Sequence, residues 1–392
     1  MQTISGPQGP RVVLDGRPVL LLCSNNYLGL ADHARVREAA ADAALRWGAG
    51  AGAARGVSGT MRVHRRLETS LAAFHRAESA LLFGSGYLAG IGVVPALAGR
   101  GQVVFSDALN HASIVDGCRL SGAETFVYEH ADADHLAWGL RQHADRAALI
   151  VTDGVFAADG DVAPLEDIVG LAHRHQVPLM VDESHAVGAL GPGGRGAAAE
   201  AGLECEVDVI VGSLGKALGS YGAYVACDDA IVARLEASRP LLFSTAPPPP
   251  SVAAALAALE LLTEQPRLVE KLAVNAEILR DELHRENFDV AGSCTQIIPL
   301  IVGDGDDADA MAAAALEQGV FARAMRAPAV PEDTARLRLS VMATHTRGEL
   351  REAARVLGRA ALRTGLRPAT MVPVAVAQTG GTNVVPLVPR AA

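Results

Sequence analysis

One lysine in a run of small and apolar residues is the most chemically suggestive feature of this 392-residue chain. Lys216 sits in Val211-Gly212-Ser213-Leu214-Gly215-Lys216-Ala217-Leu218-Gly219, with no other charged residue within seven positions on either side. An apolar pocket lowers a lysine's pKa, which frees the amine for nucleophilic and Schiff-base chemistry. A surface lysine on a mobile loop is the plain alternative. Three further polar groups follow apolar runs. Val181-Asp182-Glu183-Ser184-His185 ends a hydrophobic stretch in a carboxylate, with a histidine three residues later. A carboxylate at that depth needs a partner, because an unpaired buried charge is costly. A structural salt bridge and a protonated heterocyclic nitrogen would each serve. Gly84-Ser85-Gly86-Tyr87 precedes an apolar helical pattern that starts near Leu88. Glycines there let backbone N–H groups approach an anion, and a helix N-terminus adds its dipole, although a tight turn has the same composition. Asp107-Ala108-Leu109-Asn110-His111-Ala112-Ser113 supplies a histidine that either stacks on a planar ring or caps the next helix.

The elements that carry these groups are legible as alternation. Strand-like runs fall at 80–83, 103–105, 125–128, 148–152, 179–182, 209–211 and 223–226. Helical patterns lie between several of them, such as Leu165, Ile168, Val169 and Ala172 at i, i+3, i+4, i+7. Alternating strands and helices predict an α/β fold with a seven-stranded, mostly parallel sheet covered on both faces. Ligands of such sheets bind at the carboxyl ends of the strands, where all four groups stand. The pattern changes after Pro247-Pro248-Pro249-Pro250. A long helix near 266–285, strand-like runs at 296–302 and 337–341 and a helix at 349–363 predict a smaller α+β domain. The expected organisation is an N-terminal segment (1–30), a large domain (31–265), a small domain (266–365) and a flexible tail (366–392).

Bulk properties narrow the function. Half the residues are hydrophobic and 20% are charged, as in a packed globular enzyme. A net charge of −10 argues against a nucleic-acid partner. The basic cluster Arg62-Val63-His64-Arg65-Arg66 reads as a solvated helix start. Five scattered cysteines and the absence of a His-Glu-x-x-His pattern suggest neither a disulfide framework nor a metal site. The polar residues 1–10 do not read as a signal peptide, and no apolar run is long enough to span a membrane. The expected location is the cytoplasm.

The four polar groups fit one cofactor. Pyridoxal phosphate needs a lysine for its aldehyde, an acid for its pyridine nitrogen, a helix-terminus cradle for its phosphate and a ring to stack on. Lys216, Asp182, Gly86 with Tyr87, and His111 supply these in turn. A dinucleotide enzyme is disfavoured, since Gly84, Gly86 and Gly90 miss the required glycine spacing by one residue. A catalytically inactive partner subunit is disfavoured by the presence of Lys216 together with Asp182.

From residue 20 to about 361 the chain resembles the α-oxoamine synthase family of fold-type-I pyridoxal phosphate enzymes. The stretches that carry the resemblance are Ser24-Asn25-Asn26-Tyr27-Leu28-Gly29-Leu30, Asp107–Ser113, Val151-Thr152-Asp153-Gly154-Val155-Phe156, Leu214–Gly219 and Thr334-Ala335-Arg336-Leu337-Arg338-Leu339. The resemblance implies that Lys216, Asp182 and His185 are catalytic and that Arg338 pairs with an amino-acid carboxylate. Asn26, His111 and Thr334 would line the substrate. Gly86, Tyr87 and Ser213 would hold the phosphate or its surroundings, and Ser244 and Thr245 would reach the neighbour's phosphate across a homodimer with shared active sites. The implied reaction is a decarboxylative condensation of an amino acid with an acyl thioester, on coenzyme A or an acyl carrier protein. The expected pair is L-alanine with a pimeloyl thioester. Glycine with acetyl- or succinyl-CoA is the alternative, because Ser184-His185-Ala186-Val187-Gly188 looks like the glycine-using relatives. Ala157 departs from the family, which usually has a serine there.

Overall fold

In the computed structural model, which describes residues 2–290 and 292–368, neighbouring residues of the central strands pack on opposite sides of one sheet. The chain opens with β1 (Ile4–Ser5), β2 (Arg11–Leu14) and β3 (Arg17–Leu21). The central sheet follows: β4 (Ser79–Phe83), β5 (Val103–Asp107), β6 (Glu124–Tyr128), β7 (Ala147–Asp153), β8 (Leu179–Asp182), β9 (Val209–Ser213) and β10 (Ala223–Cys227). Its order is β4-β10-β9-β8-β7-β5-β6, with β10 antiparallel to both neighbours and the other pairs parallel. Leu149 and Val151 face one side with Met180, Val209 and Val211. Ile150 faces the other with Phe105, Val181 and Ile210. The pleat sends alternate side chains to opposite faces, and both faces are covered, so these strands read as unbroken apolar runs. Helix Gly86–Leu97 covers one face through Ala89, Val93 and Val94. Helix Leu165–His175 covers the other, burying the stripe Leu165, Ile168, Val169 and Ala172.

Helices Pro249–Glu264 and Arg267–Arg285 lead out of this layer. Beyond them, β11 (Ile297–Gly303), β13 (Arg323–Met325) and β14 (Ala335–Ser340) form an antiparallel sheet in the order β11-β14-β13, followed by helix Arg347–Arg363. Helix Gly305–Glu317 was not legible in the sequence. Its buried face is Ala308, Met311, Ala314 and Ala315, and alanines contrast weakly with their neighbours. The N-terminal segment does not stand by itself. β12 (Val320–Phe321) pairs in parallel with β3, Val320 opposite Leu20, giving the sheet β1-β2-β3-β12. Val12, Leu14, Val19 and Leu21 then pack on Met342, so chain start and C-terminal region share a core.

The basic cluster opens helix Arg62–His75 as expected, with Arg62, Arg65 and Arg66 exposed. His64 departs from that reading: it is fully buried, with Nε2 2.8 Å from the Pro247 carbonyl. The expected tail lies, from residue 369 on, outside the described residues. Among the described residues no helix is long and apolar enough to cross a membrane.

Candidate active site

Parallel strands deliver their carboxyl ends to one edge, and the chemistry collects there. β5, β7 and β8 end in Asp107, Asp153 and Asp182, and β9 ends in Ser213. Asp153 lies opposite Asp182 in the ladder, and Asp182 opposite Val211. After β9 the chain turns back tightly. Ser220 N donates to the Leu214 carbonyl at 2.8 Å, and Ser213 Oγ accepts from Gly215 N at 3.2 Å. Gly219 has φ +62°, and a Cβ there would meet Ala31 N at 2.3 Å, so this turn requires glycine. The turn holds Lys216 against the strand ends. Desolvation brings its pKa down to about 8, against the opposing carboxylates of Asp182 and Asp153.

Asp182 is buried; its Oδ1 accepts from Ser184 N at 2.9 Å, and among the described residues it has no ion-pair partner. Burial first, and then the charge of Asp182, raise the Asp153 carboxyl well above the usual range. Asp182, whose Oδ1 accepts from backbone, is suited to be the counterion of a cationic ring nitrogen. Glu183, between Asp182 and Ser184, faces elsewhere and accepts from Ala197 N and Ala198 N at 2.8 and 2.7 Å.

His111 takes up the helix-capping one of its two sequence readings. It caps helix Ala112–Ser121, with Nδ1 accepting from Ser113 N at 3.2 Å, and its ring lies in the field of Asp182 and Lys216. Ser85 caps helix Gly86–Leu97, accepting from Leu88 N at 3.1 Å, so the N–H groups of Gly86 and Tyr87 are that helix's first donors. The Tyr87 hydroxyl is taken by Asp116 at 2.6 Å and its side chain is exposed. Gly90 serves packing: a Cβ would meet Ser113 Oγ at 2.7 Å.

A second polar group faces the first. Arg338, on β14, donates from Nε to the Ala157 carbonyl at 2.5 Å and from Nη1 to Ser340 Oγ at 2.8 Å. Its two longer bonds, each 3.3 Å, run from Nη1 to Asn25 Oδ1 and from Nη2 to the Tyr27 hydroxyl. That hydroxyl is 2.6 Å from His185 Nδ1, and Gln296 Nε2 donates to the His185 carbonyl at 2.8 Å. Burial holds the His185 imidazole well below its ordinary pKa, aided by the positive charges of Lys216 and Arg338.

Asn26 donates to the Gln8 carbonyl at 3.1 Å and accepts from Ala31 N at 3.2 Å, so its amide is committed to backbone while Asn25 points toward Arg338. The Thr334 hydroxyl donates to the Pro331 carbonyl at 2.8 Å. Ser244 is half-buried and Thr245 exposed, beside the exposed Leu242 and Phe243. Sequence reasoning missed Asn25, Tyr27, Asp153 and Gln296 as members of the site. The first three lie inside stretches already singled out, while Gln296 carries no local signal.

The residues fit pyridoxal phosphate. A half-buried lysine of lowered pKa, a buried carboxylate without an ion-pair partner among the described residues and the N-terminal N–H groups of helix Gly86–Leu97 stand at one edge of the sheet. Fold and site together define a fold-type-I transferase that uses this cofactor. The chain belongs to the aminotransferase class I and II family, whose model matches residues 17–357. It is 48% identical over 370 residues to 8-amino-7-oxononanoate synthase of Geobacter sulfurreducens, covering 93% of this chain and 95% of that one. The enzyme of the same name from Anaeromyxobacter dehalogenans is 50% identical, covering 88% of this chain and 87% of its own. Among solved structures, Sphingomonas wittichii serine palmitoyltransferase superposes with a TM-score of 0.90 at 31% identity, covering 93% and 92% of the two chains.

Proposed function

We propose that this chain catalyses the decarboxylative condensation of L-alanine with a pimeloyl thioester, giving 8-amino-7-oxononanoate, CO2 and free thiol, the acyltransferase step of biotin biosynthesis. The observation that carries the reading is identity of 48% with an 8-amino-7-oxononanoate synthase over nearly the full length of both chains. When bound, pyridoxal phosphate supplies a sink for the electron pair left at Cα. The chain's residues do the rest. Arg338 pairs with the amino-acid carboxylate through the two N–H groups whose present bonds are long. Lys216 tethers the cofactor and, once released, takes the Cα proton on Nζ; a pKa near 8 leaves part of it as free base near neutral pH. Asp182 holds a proton on the ring nitrogen, and Gly86 and Tyr87 N–H groups meet the phosphate. A C–C bond then forms between Cα and the thioester carbonyl carbon as the C–S bond breaks and the thiolate leaves; the carboxyl group departs as CO2, and the Lys216 ammonium returns its proton to Cα. His185 is placed to polarise the new ketone as the CO2 departs.

The exposed Leu242, Phe243 and Thr245 support a homodimer in which Ser244 and Thr245 reach the partner's phosphate site. Such a biosynthetic step belongs in the cytoplasm. The test is a panel of alanine, glycine and serine against pimeloyl-CoA, the pimeloyl carrier protein and acetyl-CoA, scored by thiol release and product mass. Alanine with a pimeloyl thioester should be the fastest pair. A pocket that accepts a methyl discriminates by only about 1–3 kcal/mol, so glycine should react roughly ten- to two-hundredfold more slowly. Glycine with acetyl-CoA as the fastest pair would overturn the reading.

A further inference from the structure

We propose that Tyr27 is a positioning residue that fixes His185 in its Nε2–H form, so that the histidine meets the reacting centre as a hydrogen-bond donor. The Tyr27 side chain is fully buried; its oxygen lies 2.6 Å from His185 Nδ1, 3.2 Å from Asn25 Oδ1 and 3.3 Å from Arg338 Nη2, and the Gln296 side chain also hydrogen-bonds to it as a donor. A guanidinium can only donate, so Arg338 occupies a lone pair of the phenol and leaves the single phenolic proton for another partner. Asn25 Oδ1 already accepts from Arg338 Nη1, and its distance to the phenol is the longer one. The proton therefore lies along the 2.6 Å contact, with Nδ1 as acceptor.

A neutral imidazole has one N–H, and an accepting Nδ1 puts it on Nε2. Neutrality follows from the buried position of His185 and the flanking charges of Lys216 and Arg338. The phenol stays protonated, since burial raises its pKa against the pull of Arg338. The Gln296 amide binds the backbone carbonyl of His185 and not its ring, so the Tyr27 contact decides which ring nitrogen carries the proton. A donor is the useful form: an anionic oxygen on the cofactor and the oxygen of a β-keto acid losing CO2 both accept. The catalytic consequence rests on the function proposed above; the proton's position does not.

Two measurements test the proposal on the holoenzyme. Nitrogen-15 correlation spectra of histidine-labelled wild-type protein, with His185 assigned through His185→Gln, should show Nε2 protonated and Nδ1 bare. A proton on Nδ1 overturns the proposal, and this arm needs no Tyr27 variant to fold. In Tyr27→Phe, kcat for alanine with a pimeloyl thioester should fall roughly ten- to hundredfold, less than the loss of a positioned acid–base group itself, because Tyr27 acts through His185. Alanine KM should shift by less than about threefold, since only one long Arg338 bond is lost. Combined with His185→Gln, the substitution should cost nothing further. Additive losses would mean that Tyr27 acts elsewhere and would overturn the proposal. If the wild type makes no product from alanine and a pimeloyl thioester, the function reading fails, while the spectrum still upholds or refutes the tautomer.

Discussion

Replacing Arg338 with alanine isolates the contact that should recognise the amino acid. The guanidinium has two short bonds, to Ala157 O and Ser340 Oγ, and two long ones, to Asn25 and Tyr27. The short pair anchors the fork, and the long pair is what a carboxylate exchanges for its own bonds. A charge-assisted hydrogen bond is worth about 1.5–3 kcal/mol, or roughly ten- to a hundredfold in affinity. Because the incoming carboxylate displaces existing bonds, the lower half applies, and alanine KM should rise about ten- to thirtyfold. The assay is steady-state thiol release against alanine concentration at saturating acyl thioester. Thermal unfolding is followed alongside, because the substitution also strips the Ala157 carbonyl of its donor. An alanine KM within about twofold of wild type would refute the assignment. Arg336 is no substitute: it is ion-paired to Asp159, and its Nε donates to the Thr334 carbonyl at 2.9 Å.

Lys216→Ala should abolish turnover and remove the visible absorbance of the tethered cofactor; a band of wild-type position and intensity would show that another lysine holds it. His130 offers a pH test of the scaffold. Its Nδ1 is 3.0 Å from Asp107 and its Nε2 2.8 Å from Asp161, and although burial opposes the charge, these carboxylates raise its pKa from 6.5 to about 10. A pKa raised on folding gives stability that is complete below the unfolded value and lost as pH climbs through the folded one. The Tm gap between wild type and His130→Gln should therefore be widest below pH 6.5 and close by about pH 10; a gap independent of pH would refute the ion-pair account.

The sequence by itself determined the layers and the chemical groups. Strands buried on both faces must be apolar throughout, so β7, β8 and β9 were legible as runs, and the helix stripe beginning at Leu165 was legible as period. Lys216 stood out because its neighbourhood is uncharged, and Asp182 because it ends a buried run. Tertiary structure decided what local pattern cannot encode. Strand direction leaves no mark on composition, so the antiparallel β10 between β4 and β9 had to be seen. The pairing of β3 with β12 joins residues some 300 positions apart through backbone atoms that every sequence possesses. Between Asn25 and Asn26, identical in type and adjacent in the chain, only backbone direction chose: one amide faces Arg338 and the other is held by Gln8 and Ala31. Arg336 and Arg338, two apart on one strand, differ only in what the fold brings to them, Asp159 for the first and the Tyr27–His185 pair for the second. A side chain's role is set by its distances to groups remote in sequence, and those exist only once the sheet has closed around them.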